Sequence, residues 1–159
     1  MKSILKHPNP RPGITGIPRL LKDPTVYEIT VERSFTAFHS LPLPTGEMEP
    51  KHDHHWHVTA GFRSNILDEV MGVVIDFLAV DGALKAICHR LDGGDLNTLP
   101  AFADGKASAE RVAQSLADTL SEALSEHVGT PDGDKPWLAF LRVTEAPGCA
   151  ATFFPYGVG

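Results

Sequence analysis

Four of the chain's eight histidines fall within six residues, and their spacing suits metal binding. They are His52, His54, His55 and His57. The surrounding residues have the composition of a β-strand, on which side chains alternate between faces, so His52 and His54 share one face and His55 and His57 share the other. Two imidazoles two residues apart on a strand can bind one ion. We therefore predict a metal site on one face of this strand.

A third ligand is available at the end of the preceding predicted strand, where His39 stands. Three protein ligands with one open position are typical of catalytic zinc. The same residues also fit a histidine-rich surface strand that binds nothing. A cupin-type site is disfavoured because no glutamate follows His54 at the required distance. An iron site using Asp53 is disfavoured because that side chain points to the opposite face.

The elements that must hold these histidines follow from the pattern of apolar residues. Alternation of apolar and polar residues predicts four strands, and apolar residues three or four positions apart predict two helices between the second and third strands. This ββααββ order predicts an α+β fold, an antiparallel sheet with both helices on one face. The predicted strands are Val26–Ala37, His52–Arg63, Trp137–Thr144 and Cys149–Phe154, and the predicted helices contain Val80–Leu91 and Ser108–Leu124.

The whole-chain composition indicates one domain and a small soluble partner. The 159 residues suit a single domain over 25–159, preceded by a proline-rich arm over 1–24. A net charge of -6 argues against nucleic acid and against an anionic membrane surface. Two cysteines are too few for a disulfide framework, and no apolar stretch is long enough to cross a bilayer. We therefore expect a cytoplasmic protein.

Six short segments, in order along the chain, carry a resemblance to a known family. They look like its FxAxH, HGHNY, VVDF, LDHxxLN, PTxEN and VxET motifs. The segments are Phe35–His39, His52–Trp56, Val74–Phe77, Leu91–Asn97, Ala107–Glu110 and Val143–Glu145. In these motifs the chain resembles the 6-pyruvoyl-tetrahydropterin and 6-carboxy-tetrahydropterin synthases.

The resemblance implies a tunnelling fold, in which three subunits close a barrel and two barrels stack into a homohexamer. It implies zinc on His39, His52 and His54, and a small-molecule pterin as substrate. It also implies that Glu145, with Thr144 beside it, binds the pterin. A carboxylate suits this role because it accepts two parallel N–H bonds from an aminopyrimidine edge.

The chain departs from the family at its catalytic groups. The family's cysteine is missing from residues 46–51, and its Asp-His pair is reduced to Asp92 followed by Gly93. Cys88 and Cys149 lie elsewhere, and we expect both to be ordinary buried cysteines. His89, one helical turn before Gly93, is a possible substitute for the lost histidine.

One subfamily uses a glutamate in an ExxHGH pattern, which Glu49 and the following residues resemble. Members of that type cleave the side chain of 7,8-dihydroneopterin triphosphate. The resemblance therefore predicts a zinc-dependent lyase with Glu49 as base and Asp92 as a second catalytic group. Two alternatives remain, a catalytically inactive homologue that binds zinc and pterin, and a structural hexamer with a vestigial pocket.

Overall fold

A computed structural model describes residues 25–158, so the predicted arm over 1–24 lies outside the described residues. Within this part the elements follow the predicted ββααββ order. Two short 3₁₀ helices, which the sequence analysis did not predict, lie between the two α-helices. The elements are β1 (Tyr27–His39), β2 (His52–Ser64), α1 (Phe77–Leu91), 3₁₀ helices Leu96–Thr98 and Pro100–Phe102, α2 (Ala109–Ala123), β3 (Trp137–Ala146) and β4 (Cys149–Phe153).

The four strands form one antiparallel sheet in the order β1-β2-β3-β4. β1 and β2 pair over their full length, from Tyr27 opposite Ser64 to His39 opposite His52. This continuous pairing extends β1 two residues beyond the predicted end, so His39 lies inside the strand. β3 pairs only with residues His57 to Arg63 of β2. The end of β2 that carries His52 and His54 therefore has no partner on β3.

Both helices pack on one face of the sheet, as predicted. The side chains of Phe35, Trp56 and Leu141 join those of Leu84 and Leu120 in a single buried cluster. Asp76 caps α1 by accepting a hydrogen bond from the backbone N–H of Leu78 at 2.9 Å. Ser108 precedes α2 as predicted, but its side chain makes no capping hydrogen bond.

The chain between the helices is fastened to the outer edge of β1. The N–H of Gly93 donates to the Thr36 carbonyl at 2.7 Å, and the N–H of Phe38 donates to the Gly94 carbonyl at 2.8 Å. Gly93 has φ +74, a conformation that favours glycine and that ends α1 where the sequence predicts. None of the helices in residues 25–158 is long and apolar enough to cross a membrane.

Candidate metal centre

Three histidines and one glutamate converge at the end of the sheet. His39 and His52 face each other across β1 and β2, and His54 follows on the same face of β2. Glu145 reaches the group from the end of β3. One potential ligand atom from each of the four residues lies within 4.8 Å of the others, the reach of a single ion.

Backbone carbonyls orient two of the imidazole rings. His39 Nδ1 lies 2.8 Å from the carbonyl oxygen of Ala107, and His52 Nδ1 lies 2.9 Å from that of Pro50. A carbonyl oxygen only accepts hydrogen bonds, so each Nδ1 carries the proton. Nε2 is then the ring atom left to bind a metal, and such a partner on the other nitrogen is typical of metal-binding histidines.

The Nε2 atom of His39 is buried without a hydrogen bond. The residue is 1% exposed, and although Glu145 Oε1 approaches this nitrogen at 2.9 Å, the geometry is not that of a hydrogen bond. A buried polar atom without a partner is costly and requires an explanation. A cation bound by Nε2 would provide the missing partner, so the donor set fits a metal such as zinc.

Trp56 forms the inner wall of the cluster. Its ring centroid lies 5.1 Å from that of His39 and 5.8 Å from that of His54, and the rings meet edge to face. The indole Nε1–H donates to the Ala37 carbonyl at 3.2 Å, which satisfies the buried donor. The apolar ring therefore holds two of the histidines in place and keeps water away from their inner side.

His55 and His57 lie on the opposite face, as predicted. Their ring centroids are 4.8 Å apart, and His55 Nδ1 lies 3.3 Å from the Thr36 hydroxyl. Within residues 25–158 no other group of three His, Cys, Asp or Glu side chains converges as the four-residue cluster does. The structure thus separates the two histidine pairs by strand face.

A cleft of about 490 Å³ opens beside the cluster, where β2 and β3 diverge. It is lined by His54, Thr144, Glu145, Ala146 and Pro147 and, from the other face of β2, by Asp53, His55 and His57. Thr144 and Glu145 are half-buried, so both are accessible from the cleft. The two residues expected to bind pterin therefore share one cavity with His54 of the four-residue cluster.

Glu49 and Asp92 lie outside the four-residue cluster. Glu49 Oε1 accepts a hydrogen bond from the backbone N–H of Leu41 at 2.8 Å, within the loop before β2. Asp92 Oδ1 accepts one from the backbone N–H of Thr36 at 2.8 Å. Each carboxylate thus has a structural contact, and the catalytic role of both residues stays a prediction.

The two cysteines differ in their environments. Cys88 is buried in α1 as expected, and burial raises the pKa of its thiol to about 11, so it is not a thiolate at neutral pH. Cys149 is exposed at the start of β4, contrary to expectation, because β4 is an edge strand and the residue follows its turn. Neither belongs to the metal cluster.

Two supports of the site were not identified from the sequence. The Ala107 carbonyl that orients His39 precedes α2, 68 residues away in sequence. Asn97 binds the next residue after His39, donating to the Ser40 carbonyl at 3.0 Å and accepting from its N–H at 2.8 Å. Both residues lie in segments that resemble family motifs, Asn97 in the segment like LDHxxLN and Ala107 in the segment like PTxEN.

The sequence profile of the 6-pyruvoyl tetrahydropterin synthase family matches residues 28–155, which is most of the chain. The chain belongs to the 6-pyruvoyl tetrahydropterin synthase family. The match includes all four residues of the metal cluster, and it confirms the resemblance seen in the six motifs. A comparison with the sequences of curated proteins found no match to this chain.

Solved structures of the same family share the fold at low sequence identity. The Caenorhabditis elegans 6-pyruvoyl tetrahydropterin synthase superposes with a TM-score of 0.65 at 16% identity, covering 82% of this chain and 96% of that one. The Plasmodium falciparum protein gives 0.62 at 21% identity, with 82% and 98% covered. These similarities support the tunnelling fold.

Proposed function

We propose that this family member is a zinc-dependent lyase that cleaves the side chain of 7,8-dihydroneopterin triphosphate or a related pterin. The observation that carries the proposal is the convergence of His39, His52 and His54 around a buried, unpartnered nitrogen, within a pterin synthase fold. A zinc ion held there supplies a Lewis acid, which lowers the pKa of hydroxyl groups beside it.

Glu49 is the base in this proposal. Its Oε1 is held by the Leu41 N–H, which orients the carboxylate and leaves Oε2 to take a proton. The half-buried Glu49 stands three residues before His52, in the loop that leads directly into the metal strand. A related protein supports a glutamate in such a role, because Plasmodium vivax 6-pyruvoyltetrahydropterin synthase has been solved as variants of a catalytic glutamate.

Pterin binding is assigned to Glu145 and Thr144 in the cleft between β2 and β3. The carboxylate accepts the paired N–H groups of the pterin ring, which fixes the orientation of the side chain to be cleaved. Asp92 is assigned a supporting role through Thr36, whose backbone N–H it holds and whose hydroxyl contacts His55. His55 also lines the cleft.

A second candidate function is a catalytically inactive zinc and pterin binder. It is favoured by the absence of the family's cysteine from residues 46–51 and by Gly93 in place of its histidine. The engagement of both predicted catalytic carboxylates with backbone N–H groups also favours it. The two candidates share the same metal and pterin sites and differ only in turnover.

Incubation of the purified zinc-loaded protein with 7,8-dihydroneopterin triphosphate separates the two. The lyase yields a 6-hydroxymethyl-dihydropterin, identified by mass, and Glu49→Gln does not. Binding of the pterin without any product would establish the inactive binder. We also propose a homohexamer, as the family resemblance implies, and a cytoplasmic location, which rests on the two cysteines being too few for a disulfide framework.

A further inference from the structure

We propose that Glu145 is a fourth metal ligand in the pterin-free protein and leaves the metal when pterin binds. This proposal rests on the proposed function and adds an exchange at the same site. Glu145 Oε1 lies 2.9 Å from His39 Nε2 and 3.4 Å from His54 Nε2. The oxygen therefore already lies among the atoms that would bind the ion, in the place that three histidines alone would leave open.

The backbone at Glu145 explains how the side chain reaches this place. β3 pairs with β4 at Thr144 and again at Ala146, but the register shifts between them, and Glu145 is the intervening residue. Such an irregularity bends the strand and redirects a side chain, and it is common beside active sites. Glu145 also lies past the last residue of β3 that pairs with β2, so neither neighbouring strand holds it in a regular ladder.

The two roles of Glu145 exclude each other. Recognition of paired N–H groups on a pterin ring uses both carboxylate oxygens, whereas metal binding takes Oε1. The side chain is 24% exposed and lines the cleft, so it can turn from the cluster toward a ligand there. A metal held by the three histidines would then have one position open to the oxygens of a bound substrate.

The first test is the visible absorption spectrum of the Co²⁺-loaded protein, whose bands report the number and type of ligands. We expect Glu145→Gln to change these bands and to weaken metal affinity at least about tenfold, since losing even a group that only orients a metal ligand costs about 10–100-fold. Glu122→Gln, an exposed glutamate on α2, is the matched control and should change neither. Identical spectra for wild type and Glu145→Gln would overturn the proposal.

The second test uses 6-methylpterin, which has the pterin ring but no side-chain oxygen to replace Glu145. Saturating 6-methylpterin should change the Co²⁺ spectrum of the wild type and lower its Zn²⁺ affinity in a chelator competition. By linkage, Zn²⁺ must weaken 6-methylpterin binding by the same factor, measured by pterin fluorescence. In Glu145→Gln this coupling should vanish.

The outcomes distinguish the exchange from the proposed function. If 6-methylpterin binds the wild type but leaves its Co²⁺ spectrum and Zn²⁺ affinity unchanged, the exchange is wrong and the pterin site stands. If neither 6-methylpterin nor 7,8-dihydroneopterin triphosphate binds, the proposed function fails and the exchange fails with it. Glu145 would then be a metal ligand only.

Discussion

At the scale of single residues, the site depends on which nitrogen of each imidazole faces the metal. Backbone carbonyls fix this for His39 and His52 by accepting from Nδ1. Because a ring held in this way needs no reorientation when the metal arrives, binding loses less conformational entropy. The site is thus organised by the backbone around it as well as by the three ligands.

The first prediction is that the purified protein holds about one zinc per chain, which His52→Ala or His54→Ala abolishes. The matched controls are His55→Ala and His57→Ala, which remove imidazoles from the opposite face and should leave the zinc content unchanged. Metal analysis of the five proteins is the measurement. Equal losses from both pairs would contradict the assignment of faces.

The second prediction separates pterin binding from turnover. Glu145→Gln should weaken pterin binding to the metal-free protein by roughly 1.5–3 kcal/mol, the range for a hydrogen bond to a charged group. Glu49→Gln should leave that binding nearly intact and slow turnover of the zinc-loaded protein by about 10²–10⁴-fold, because a general base acts mainly in the transition state. Fluorescence titration and product formation measure the two effects. A large loss of binding in Glu49→Gln would contradict this division of roles.

At the scale of elements, the connection between α1 and α2 acts as a clamp on the metal-binding end of β1. Asn97 holds Ser40 by two hydrogen bonds and reaches the Gly105 carbonyl with a third at 3.2 Å. Ala107, two residues further, orients His39. The two 3₁₀ helices between Leu96 and Phe102 therefore serve the site although they supply no ligand.

The third prediction tests this clamp. Asn97→Ala removes the partners of the Ser40 N–H and carbonyl and should lower the free energy of unfolding by about 1–3 kcal/mol. It should also weaken metal binding, because the end of β1 loses its support. Denaturant unfolding and metal competition measure the two effects, with Asn65→Ala at an exposed site as the control. Unchanged metal affinity would show that the clamp does not support His39.

The fourth prediction concerns pH and the same connection. The Arg111 side chain donates a hydrogen bond to Asp104 and holds the pKa of that carboxyl below its usual range. A carboxyl whose pKa is lower in the folded than in the unfolded state stabilises the fold at pH values above its unfolded-state pKa. This stabilisation is lost as the pH falls through the folded-state pKa. The stability difference between wild type and Arg111→Gln should therefore shrink below about pH 4. Thermal unfolding across pH measures it, and Arg142→Gln, an exposed arginine on β3, should show no such change.

At the scale of the whole molecule, the sheet has two features that favour assembly. It is open, with β4 at one edge and β1 at the other, where the connection between the helices covers only the end at Thr36 and Phe38. Uncovered edge strands expose backbone groups that can pair with another chain. Large exposed apolar side chains also concentrate in one stretch of sequence between β2 and the first turn of α1, namely Ile66, Val70, Met71, Phe77 and Leu78. Both features suit burial against further copies.

The fifth prediction is that the protein in solution is an oligomer, with a hexamer formed by two stacked trimers expected. Closing a barrel removes the open edges of each sheet. Sedimentation measures the mass directly. A particle of 17.2 kDa, the mass of one chain, would contradict the assembly.

The sequence by itself predicted the four strands, the two α-helices and the face of each histidine, and it predicted His39, His52 and His54 as metal ligands. Alternation on a strand and four-residue recurrence on a helix are local rules, so β2 and α2 could be predicted nearly to their ends. The separation of His52 and His54 from His55 and His57 follows from the same local rule. The position of His39 at the end of the first predicted strand placed it with His52 and His54, and the motif resemblance implied the same set.

Only the tertiary structure decided what surrounds those ligands. The proximity of Glu145 to His39 depends on how β3 diverges from β2 and on the irregularity at the end of β3, which no local pattern records. The bond from His39 to Ala107 spans 68 residues, and its geometry depends on the packing of the connection against β1. Contacts between distant segments are set by register and packing, so the approach of Glu145 to His39 and the support of His39 by Ala107 became visible only in the folded chain.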